Sequence, residues 1–521
     1  MSFADILRKA GTFYAARTAV VYGDRRLTYA ELYERSCRLA NALADHGVRP
    51  GDRVATLADN LLTSCEEMAG LALGGFVRSP MYTQNPVGVH LYMLDVVGAR
   101  ALIVQDRYWK ELAPHIHEAP TVRTVLVHGD GQSRTPEYDR SIEQASSKDR
   151  YVAVSPDDPH IIRFSAGTTG RPKGICHTAA GWLAMGNEHS LGFPPLQAQD
   201  RQLIAGPMSH ASGFLVWPMI AGGACHVIMP RFDPARFLEL VESQRCTRAL
   251  LIPTMIRMIV DHPDIASRDL SSLVAIYYGA APIAEKTLQD ARAVWGNIMY
   301  QVYAQSECLP ISVLSPAYHR PEGTDRERAW LRSAGRPFPN VCVRIVDDDG
   351  EELAVGEMGE IVALSPGGMK EIWDDPEATS KRFTADGWVR TRDIGYLDDD
   401  GFVYVADRKE DMIISGGFNI WPAEIENALY SHPAIQEACV VGVPHPKWGE
   451  TPKAVVVLKG RATATESELI DWCRDRVGSA KKPTSVEFSD EPLPKSPVGK
   501  MVRRAVRDRY WKSHRHAVHG A

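Results

Sequence analysis

A short polar stretch, FSAGTTGRPKGICHT at positions 164–178, is the part of the sequence whose composition most clearly indicates chemistry. Glycines let backbone N–H groups converge on an anion, hydroxyls donate further hydrogen bonds, and a lysine adds positive charge. The residues concerned are Ser165, Gly167, Thr168, Thr169, Gly170 and Lys173. We expect this loop to hold phosphate groups at the end of a strand, HIIRFS. The alternative is a surface turn of the same composition.

The loop does not follow the Walker A pattern, G-x-x-x-x-G-K-[ST]. Five residues after Gly167 the chain has Pro172, and Lys173 is followed by Gly174. The loop therefore indicates phosphate binding without indicating a P-loop NTPase. Cys176 and His177 follow the loop directly, and we interpret them as the start of a packed helix rather than as a reactive Cys/His pair.

Composition limits the class of protein. A chain of 521 residues is too long for one core, so roughly two to four packed units are expected. The net charge of −6, with both signs interspersed, argues against a nucleic-acid partner. No apolar run approaches the length of a membrane span, and the N-terminal residues lack the apolar stretch of a signal peptide. Nine scattered cysteines without a CxxC pair argue against disulfides or structural zinc, and we expect a cytoplasmic protein.

Strands alternate with helices through the first two thirds of the chain. A helix is predicted after Thr28, which can cap it together with Glu31, and Gly47 ends it. Apolar runs such as ARALIVQD (99–106) and CTRALLIP (246–253) predict buried parallel strands. The fold class is therefore α/β, with layered, mostly parallel sheets covered by helices.

The texture changes from about residue 341, where short strands are separated by acidic turns. Asp-Gly pairs at 349–350, 386–387 and 400–401 are hairpin signals. We predict an antiparallel β subdomain over about 341–406, within a large N-terminal domain over 1–406. A hinge at 407–410 and a smaller α+β C-terminal domain at 411–521 complete the predicted organisation.

Seven motifs together resemble the adenylate-forming superfamily, which contains acyl-CoA synthetases, aryl-CoA ligases, luciferases and peptide-synthetase adenylation domains. They occur in the family's order and span most of the chain: SAGTTGRPKG (165–174), PMSHASG (207–213), YYGAAPI (277–283), VYAQSE (302–307), VRTRD (389–393), DRKEDMIISGGFNIWPAEIE (407–426) and LPKSPVGKMVRR (493–504). The resemblance implies a large N-terminal domain and a mobile C-terminal cap. It also implies ligation of a carboxylic acid to CoA with ATP and Mg²⁺ as cofactors, through an acyl-adenylate and with release of pyrophosphate.

The resemblance carries nucleotide-site roles onto matching residues. Residues 165–173 would hold the β- and γ-phosphates, Glu307 would coordinate Mg²⁺, and Tyr303 would stack on adenine. Asp393 would accept hydrogen bonds from both ribose hydroxyls, with Arg408 nearby. The other residues implied at the nucleotide are Gly279, Ala280, Ala281, Pro282 and Ser306.

A second set of implied roles concerns the acid and CoA. Lys500 would stabilise the adenylation transition state, with Glu307, His210 and Thr168 as the other catalytic residues. The cap would then rotate about Glu410, withdraw Lys500 and present Ser415, Gly416 and Gly417 to the pantetheine tunnel. His210 would gate that tunnel beside an apolar acyl pocket lined by Ser212, Val216, Tyr278 and Ala304.

Three positions depart from the family's usual pattern. Ala304 replaces the glycine that usually follows the adenine-stacking tyrosine, and Glu410 replaces the aspartate or lysine usual at the hinge. Arg392 replaces the glycine usual before the ribose aspartate, which indicates that the backbone there does not need a glycine-only conformation.

Several alternatives remain open. An acyl-AMP ligase that delivers to a carrier protein is the nearest rival, a catalytically silent nucleotide-binding protein is the more distant one, and luciferase-like oxidation is not excluded by the motifs. HASGFLVWP contains no acid, which disfavours amino-acid substrates. The pocket residues suit aromatic, medium-chain or long-chain monoacids, and the sequence supplies no argument for or against a homodimer.

Overall fold

The computed structural model describes residues 2–129, 136–165, 172–281, 283–415, 418–495 and 501–511. Within these ranges the α-helices are α1 (Phe3–Phe13), α2 (Tyr29–Asp45), α3 (Ser64–Leu73), α4 (Val87–Val96), α5 (Asp106–Leu112), α6 (Pro136–Gln144), α7 (Ala179–Gly192), α8 (Val216–Ala221), α9 (Pro234–Gln244), α10 (Pro253–Val260), α11 (Glu285–Trp295), α12 (Asp325–Trp330), α13 (Pro376–Ser380), α14 (Pro422–Tyr430), α15 (Glu466–Val477) and α16 (Arg503–Trp511). Among the described helices, none is long and apolar enough to cross a membrane.

The strands of the same ranges are β1 (Thr18–Tyr22), β2 (Arg25–Thr28), β3 (Arg53–Leu57), β4 (Val77–Pro80), β5 (Ala101–Gln105), β6 (Thr124–His128), β7 (Pro159–Ser165), β8 (Lys173–Thr178), β9 (Arg201–Ile204), β10 (Cys225–Ile228), β11 (Arg248–Leu251), β12 (Ala275–Gly279), β13 (Met299–Tyr303), β14 (Ser312–Leu314), β15 (Arg336–Pro337), β16 (Cys342–Val346), β17 (Gly359–Leu364), β18 (Glu371–Ile372), β19 (Val389–Leu397), β20 (Val403–Arg408), β21 (Ile413–Ser415), β22 (Phe418–Ile420), β23 (Ile435–His445), β24 (Gly449–Leu458) and β25 (Ser485–Phe488).

Two mostly parallel sheets form the large N-terminal part. One has the order β18-β8-β7-β4-β3-β5-β6 and the other β15-β14-β13-β12-β11-β9-β10-β1-β2. A core cluster joins both sheets through the helices between them, with Ile161 on β7, Ile204 on β9, and Leu7, Leu32 and Trp217 on helices α1, α2 and α8. The predicted α/β class is confirmed, because apolar strands such as β5 are buried along their whole length.

Local sequence signals account for the ends of several elements. Thr28 Oγ1 accepts a hydrogen bond from the Glu31 N–H, and the Glu31 carboxylate accepts one from the Thr28 N–H, so α2 begins with the predicted capping box. Gly47, just after the end of α2, has a φ of +82°, and Gly401 turns the chain between β19 and β20 with a φ of +77°.

Two smaller sheets follow in the chain. The first is antiparallel, in the order β16-β17-β19-β20, and runs from Cys342 to Arg408. The second has the order β22-β21-β24-β23, with β25 parallel to β24, and carries α14, α15 and α16. A short 3₁₀ helix, Lys409–Asp411, connects the two sheets.

The prediction for Cys176 and His177 was wrong. Both lie on β8, which pairs antiparallel with β7, and the helix begins only at Ala179. The error has a local cause, because Thr178 rather than a residue before Cys176 caps α7. His177 and Cys176 are both fully buried in the sheet.

Several histidines are buried within the fold, and His226 on β10 is the most isolated of them. It is fully buried, neither ring nitrogen has a hydrogen-bond partner among the described residues, and burial lowers its pKa to about 4. In the unfolded chain the histidine pKa is about 6.5, so below this pH the unfolded chain binds a proton that the folded chain does not bind. The contribution of His226 to stability is therefore complete above about pH 6.5 and is lost as the pH falls towards 4.

We predict that His226→Leu weakens the acid sensitivity of folding. The free energy of unfolding, measured by urea titration between pH 7 and pH 5, should fall less steeply in the variant than in the wild type. The difference between the two slopes should approach about 1.4 kcal/mol per pH unit below pH 6, which is the contribution of one bound proton. His115→Leu is the control, because His115 is half exposed; equal slopes for wild type and His226→Leu would contradict the prediction.

Candidate active site

The predicted phosphate loop connects two paired strands. Ser165 at the end of β7 lies opposite Lys173 at the start of β8, so the two ends of the loop are held together by the sheet. The Lys173 ammonium lies 3.8 Å from the Asp375 carboxylate, which caps α13. Gly167, Thr168, Thr169 and Gly170 lie outside the described residues. The structure therefore defines the positions of the two ends of the loop, Ser165 and Lys173.

A buried carboxylate, Asp393, is the centre of the described site. It is 4% exposed, and its oxygens accept hydrogen bonds from the Tyr303 hydroxyl at 2.6 Å and from Arg408 Nε at 2.7 Å. The Gln305 amide donates to the same carboxylate and, at 2.9 Å, to the Thr391 carbonyl. Asp393 and Arg408 are register partners on β19 and β20, while Tyr303 ends β13 of the nine-stranded sheet.

The electrostatics of this cluster keep each partner in one protonation state. Burial, followed by the Asp393 charge, raises the pKa of Tyr303 far above its usual value, so its hydroxyl stays a donor. Asp393 also raises the pKa of Arg408 against the opposing effect of burial. The Asp393 carboxylate therefore has three defined donors, the Tyr303 hydroxyl, Arg408 Nε and the Gln305 amide.

Glu307 lies two residues beyond Gln305 and is also buried. Its Oε1 accepts a hydrogen bond from Arg382 Nη2 at 3.0 Å, and its backbone carbonyl accepts one from the Met369 N–H. The neighbouring Ser306 carbonyl accepts from His177 Nε2 at 2.8 Å, so that nitrogen carries the proton. Burial lowers the pKa of His177 to about 4, which keeps the imidazole neutral.

The turn after β12 approaches the backbone of β13 closely. A Cβ atom at Gly279 would lie 2.2 Å from the Val302 carbonyl oxygen, so this position requires glycine. Ala280 follows with a φ of +66°, a left-handed conformation that costs a non-glycine residue about 1–2 kcal/mol. Ala281 continues the turn, and Pro282 lies outside the described residues. This strained turn therefore lies beside the strand that ends at Tyr303.

His210 contacts the strand that leads into the phosphate loop. Its Nδ1 lies 2.6 Å from the Tyr82 hydroxyl and 3.0 Å from Nη2 of Arg163 on β7. Because a guanidinium can only donate, Nδ1 is the acceptor and Nε2 is the protonated nitrogen. The contact joins the two large sheets, since His210 follows β9 of the other sheet.

The predicted acyl-pocket residues fall into different parts of the core. Val216 is fully buried in the cluster between the two sheets, and Ala304 packs against the same cluster. Ser212 is 3% exposed and lies close to Gly206. Tyr278 belongs to a different cluster, with its hydroxyl bonded to Gln301 and His319. The structure therefore groups Val216 with Ala304 and separates Tyr278 from them.

The motif that contains Lys500 begins and ends in a paired segment. Lys495 and Met501 form an antiparallel bridge, and the Val502 N–H donates to the Pro494 carbonyl. The Lys495 ammonium pairs with Glu437 at 2.5 Å. Lys500 itself lies outside the described residues, as do Gly416 and Gly417, whereas Ser415 is buried and pairs with Phe418 and Gly449.

Comparison with known proteins decides the family. Residues 7–373 match the AMP-binding enzyme family, and residues 424–500 match the AMP-binding enzyme C-terminal domain. The chain belongs to the AMP-binding enzyme family. The resemblance to the adenylate-forming superfamily is thereby confirmed.

Relatives of this AMP-binding enzyme extend over almost its whole length. The feruloyl-CoA synthase of Amycolatopsis sp is 36% identical over 496 residues, which cover 95% of this chain and 96% of that protein. The medium/long-chain-fatty-acid–CoA ligase FadD8 of Mycobacterium tuberculosis is 33% identical, covering 95% and 88% of the two chains. The fatty acid–[acyl-carrier-protein] ligase ScoC of Streptomyces coeruleorubidus is 33% identical, covering 95% and 93%.

A solved structure agrees with this assignment. ATP-bound MatB from Rhodopseudomonas palustris superposes with a TM-score of 0.88 at 25% identity, covering 99% of this chain and 100% of that one. Together with the named relatives, this makes the chain an AMP-forming acid–thiol ligase.

Two of the sequence departures of this AMP-binding enzyme meet in the structure. Arg392 has a φ of +61°, within the left-handed region that favours glycine, and its guanidinium pairs with the carboxylate of Glu410 in the 3₁₀ helix. The Arg392 N–H also donates to Glu360 Oε1 at 3.1 Å. The expectation from sequence needs correction, because the backbone does adopt the glycine-favoured conformation even though the residue is arginine.

The site also contains residues that sequence reasoning did not assign. They are Tyr82, Arg163 and Arg382, together with the contact of Gln305 to Asp393. Arg163 carried a signal, since a charged residue inside the apolar run HIIRFS is unusual. Arg382 and Tyr82 carried none, because each lies in an ordinary polar segment far along the chain from its partner.

We predict that the glycine variant is more stable than the alanine variant at position 392 and less stable at position 390. At position 392, with its left-handed backbone, Arg392→Gly should be more stable to unfolding than Arg392→Ala by about 1 kcal/mol, because alanine retains the strain. Arg390, on the same strand with a negative φ, is the control, and there glycine should be less stable than alanine by about 0.5–1 kcal/mol. Thermal or urea unfolding measures both; the same order at the two positions would disprove the assignment.

Proposed function

We propose that the protein is an ATP-dependent carboxylic acid–CoA ligase that works in two steps, through an acyl-adenylate. The acid and ATP would give acyl-AMP and pyrophosphate, and acyl-AMP and CoA would then give acyl-CoA and AMP. The substrate class is an aromatic or medium/long-chain monocarboxylic acid. The observation that best supports the proposal is the buried Asp393 carboxylate, which accepts hydrogen bonds from Tyr303, Arg408 and Gln305.

In the first step, two anions must approach each other, so positioning and charge neutralisation dominate. The loop from Ser165 to Lys173 would hold the β- and γ-phosphates, and Asp393 would accept hydrogen bonds from the ribose hydroxyls. The turn from Gly279 to Pro282 and the Tyr303 ring would flank adenine. Ser306 completes the proposed nucleotide site.

Mg²⁺ fits the donors at Glu307. The ion usually keeps several waters and takes one or two carboxylates together with substrate phosphates, and it would neutralise phosphate charge there. Glu307 is a buried carboxylate, and within the described residues Arg382 engages only its Oε1. Arg382 would thus orient the carboxylate that holds the ion.

In the second step, the C-terminal domain, 411–521, would rotate about the hinge at 407–410 relative to the N-terminal domain, 1–406, which includes the β subdomain of 341–406. Rotation about Glu410 would withdraw Lys500 and bring Ser415, Gly416 and Gly417 to the pantetheine tunnel. The hinge region is already linked to the C-terminal part, because Arg503 pairs with Asp407 and Asp411.

We predict that Lys500→Ala separates the two half-reactions. Acid-dependent pyrophosphate release should slow by at least about 10²-fold, the cost of one lost transition-state donor, while thioester formation from supplied acyl-AMP is largely spared. Lys495→Ala is a matched control from the same motif, whose ammonium is already paired with Glu437. It should leave both rates within about twofold. Equal loss of both half-reactions in Lys500→Ala would exclude the two-face mechanism.

We predict that Gly417→Val impairs only the CoA step. A branched side chain would obstruct a thin pantetheine chain, so the rate of thioester formation from acyl-AMP should fall by about tenfold or more while pyrophosphate release is retained. Gly88→Val is the control, since Gly88 lies in α4 with no positive φ and no other atom of the described residues lies within 4 Å of a Cβ there. An unchanged thioesterification rate would remove Gly417 from the tunnel.

An acyl-AMP ligase that delivers to a carrier protein is the alternative, and the likeness to ScoC, named as a ligase of that kind, favours it. Pyrophosphate release and thioester formation should be measured with aryl acids and C4–C16 acids, with and without CoA. Pyrophosphate release without any acyl-CoA would support the carrier-dependent ligase, and no release with any acid would exclude both. We place the enzyme in the cytoplasm, and a homodimer is compatible with the proposal.

A further inference from the structure

Arg163 is an arginine buried in the interior of the molecule. It lies on β7, is 2% exposed, and points its guanidinium towards the rings of Phe214 at 4.5 Å and Trp182 at 5.7 Å. Aromatic faces stabilise a cation, by about 2 kcal/mol when it is desolvated. This compensates only part of the cost of removing a charge from water.

Within the described residues, no carboxylate forms an ion pair with Arg163, and its Nη1 is buried without a hydrogen-bond partner. Its Nη2 donates a hydrogen bond to His210 Nδ1 at 3.0 Å. Arg248 shows what a satisfied buried arginine looks like in the same fold: it pairs with Asp200 at 2.9 Å and also donates to the Tyr277 hydroxyl and to two carbonyls. Among the described residues, Arg163 therefore has no anionic partner comparable to the Asp200 carboxylate that pairs with Arg248.

A second buried arginine adds to the positive charge. Arg78 is 8% exposed, its Nε has no hydrogen-bond partner in the described part of the chain, and burial together with the charge of Arg163 lowers its pKa to about 10. The acid that acts on Arg78, Glu67, has its own pKa raised to about 7 by burial. Burial also lowers the pKa of Arg163, and Glu307, the acid that acts on it, is paired with Arg382. The interior beside His210 is therefore electropositive.

We propose that Arg163 is a positioning residue that selects the ionised carboxylate of the acid. It donates to Nδ1 of His210, so the imidazole carries its proton on Nε2, and the charge of the arginine favours an anion beside the ring. The inference rests on the proposed function and on the place that the resemblance implies for His210, beside the acyl pocket in which the acid would bind. It goes beyond it by assigning recognition of charge, as distinct from shape, to a residue outside the family motifs.

The test compares a carboxylate with its neutral amide. Binding of cinnamate and cinnamamide, and of octanoate and octanamide, should be measured by titration calorimetry with wild type, Arg163→Met and Arg163→Lys. In Arg163→Met, we expect carboxylate affinity to fall by about tenfold or more, the effect of a lost charge-assisted contact, with amide affinity within about twofold. Arg163→Lys should restore part of the carboxylate affinity, and the KM for ATP should stay unchanged in both variants.

The control variant is Arg344→Met, which removes an arginine stacked 4.0 Å from the centre of the Trp388 ring outside the site. It should leave all affinities unchanged. Equal loss of acid and amide affinity in Arg163→Met would show a packing role and overturn the inference, as would unchanged carboxylate affinity. Failure of the proposed function is a separate outcome, in which the wild type releases no pyrophosphate with any acid. A wild type that binds the amide as tightly as the carboxylate would contradict the role of Arg163 in either case.

Discussion

The hydrogen-bonded carboxylate of Asp393 is the constraint on which the arrangement of the site depends. A buried carboxylate is costly unless donors surround it, and its donors come from different parts of the chain. Tyr303 comes from the nine-stranded sheet, whereas Arg408 comes from the strand that leads into the 3₁₀ helix Lys409–Asp411. Satisfying one charge therefore fixes the antiparallel sheet against the large α/β body, next to the segment about which the C-terminal domain is proposed to turn.

Buried charge also joins the two large sheets. The contact of Arg163 on β7 with His210 after β9 crosses from one sheet to the other, and Tyr82 completes it. Close to the proposed hinge, Arg392 pairs with Glu410, Arg408 pairs with Asp393, and Arg503 pairs with Asp407 and Asp411. Paired charges thus lie at the proposed site and beside the proposed hinge, and buried pairs such as Arg248–Asp200 occur elsewhere in the interior as well.

Much of the fold could be predicted because its signals are local. The capping box of Thr28 and Glu31, the apolar run of β5 and the Asp-Gly turn at 400–401 each depend on neighbouring residues. Local reasoning was wrong for Cys176 and His177, because strand pairing with β7 outweighs the helical character of the sequence that follows. The grouping of Tyr278 with Val216 in one acyl pocket came from the family resemblance and stays a prediction; the structure packs the two side chains in different apolar clusters.

The sequence by itself determined the family, the α/β class and the residues that carry charge, since these follow from residue types at fixed spacings. Only the tertiary structure decided which charges meet. The pairs Arg382–Glu307, Arg163–His210 and Arg392–Glu410 join residues 75, 47 and 18 positions apart in the numbering, and no local pattern encodes such partners. The cost of burying a charge selects them, because that cost can be evaluated only once packing has defined what is buried.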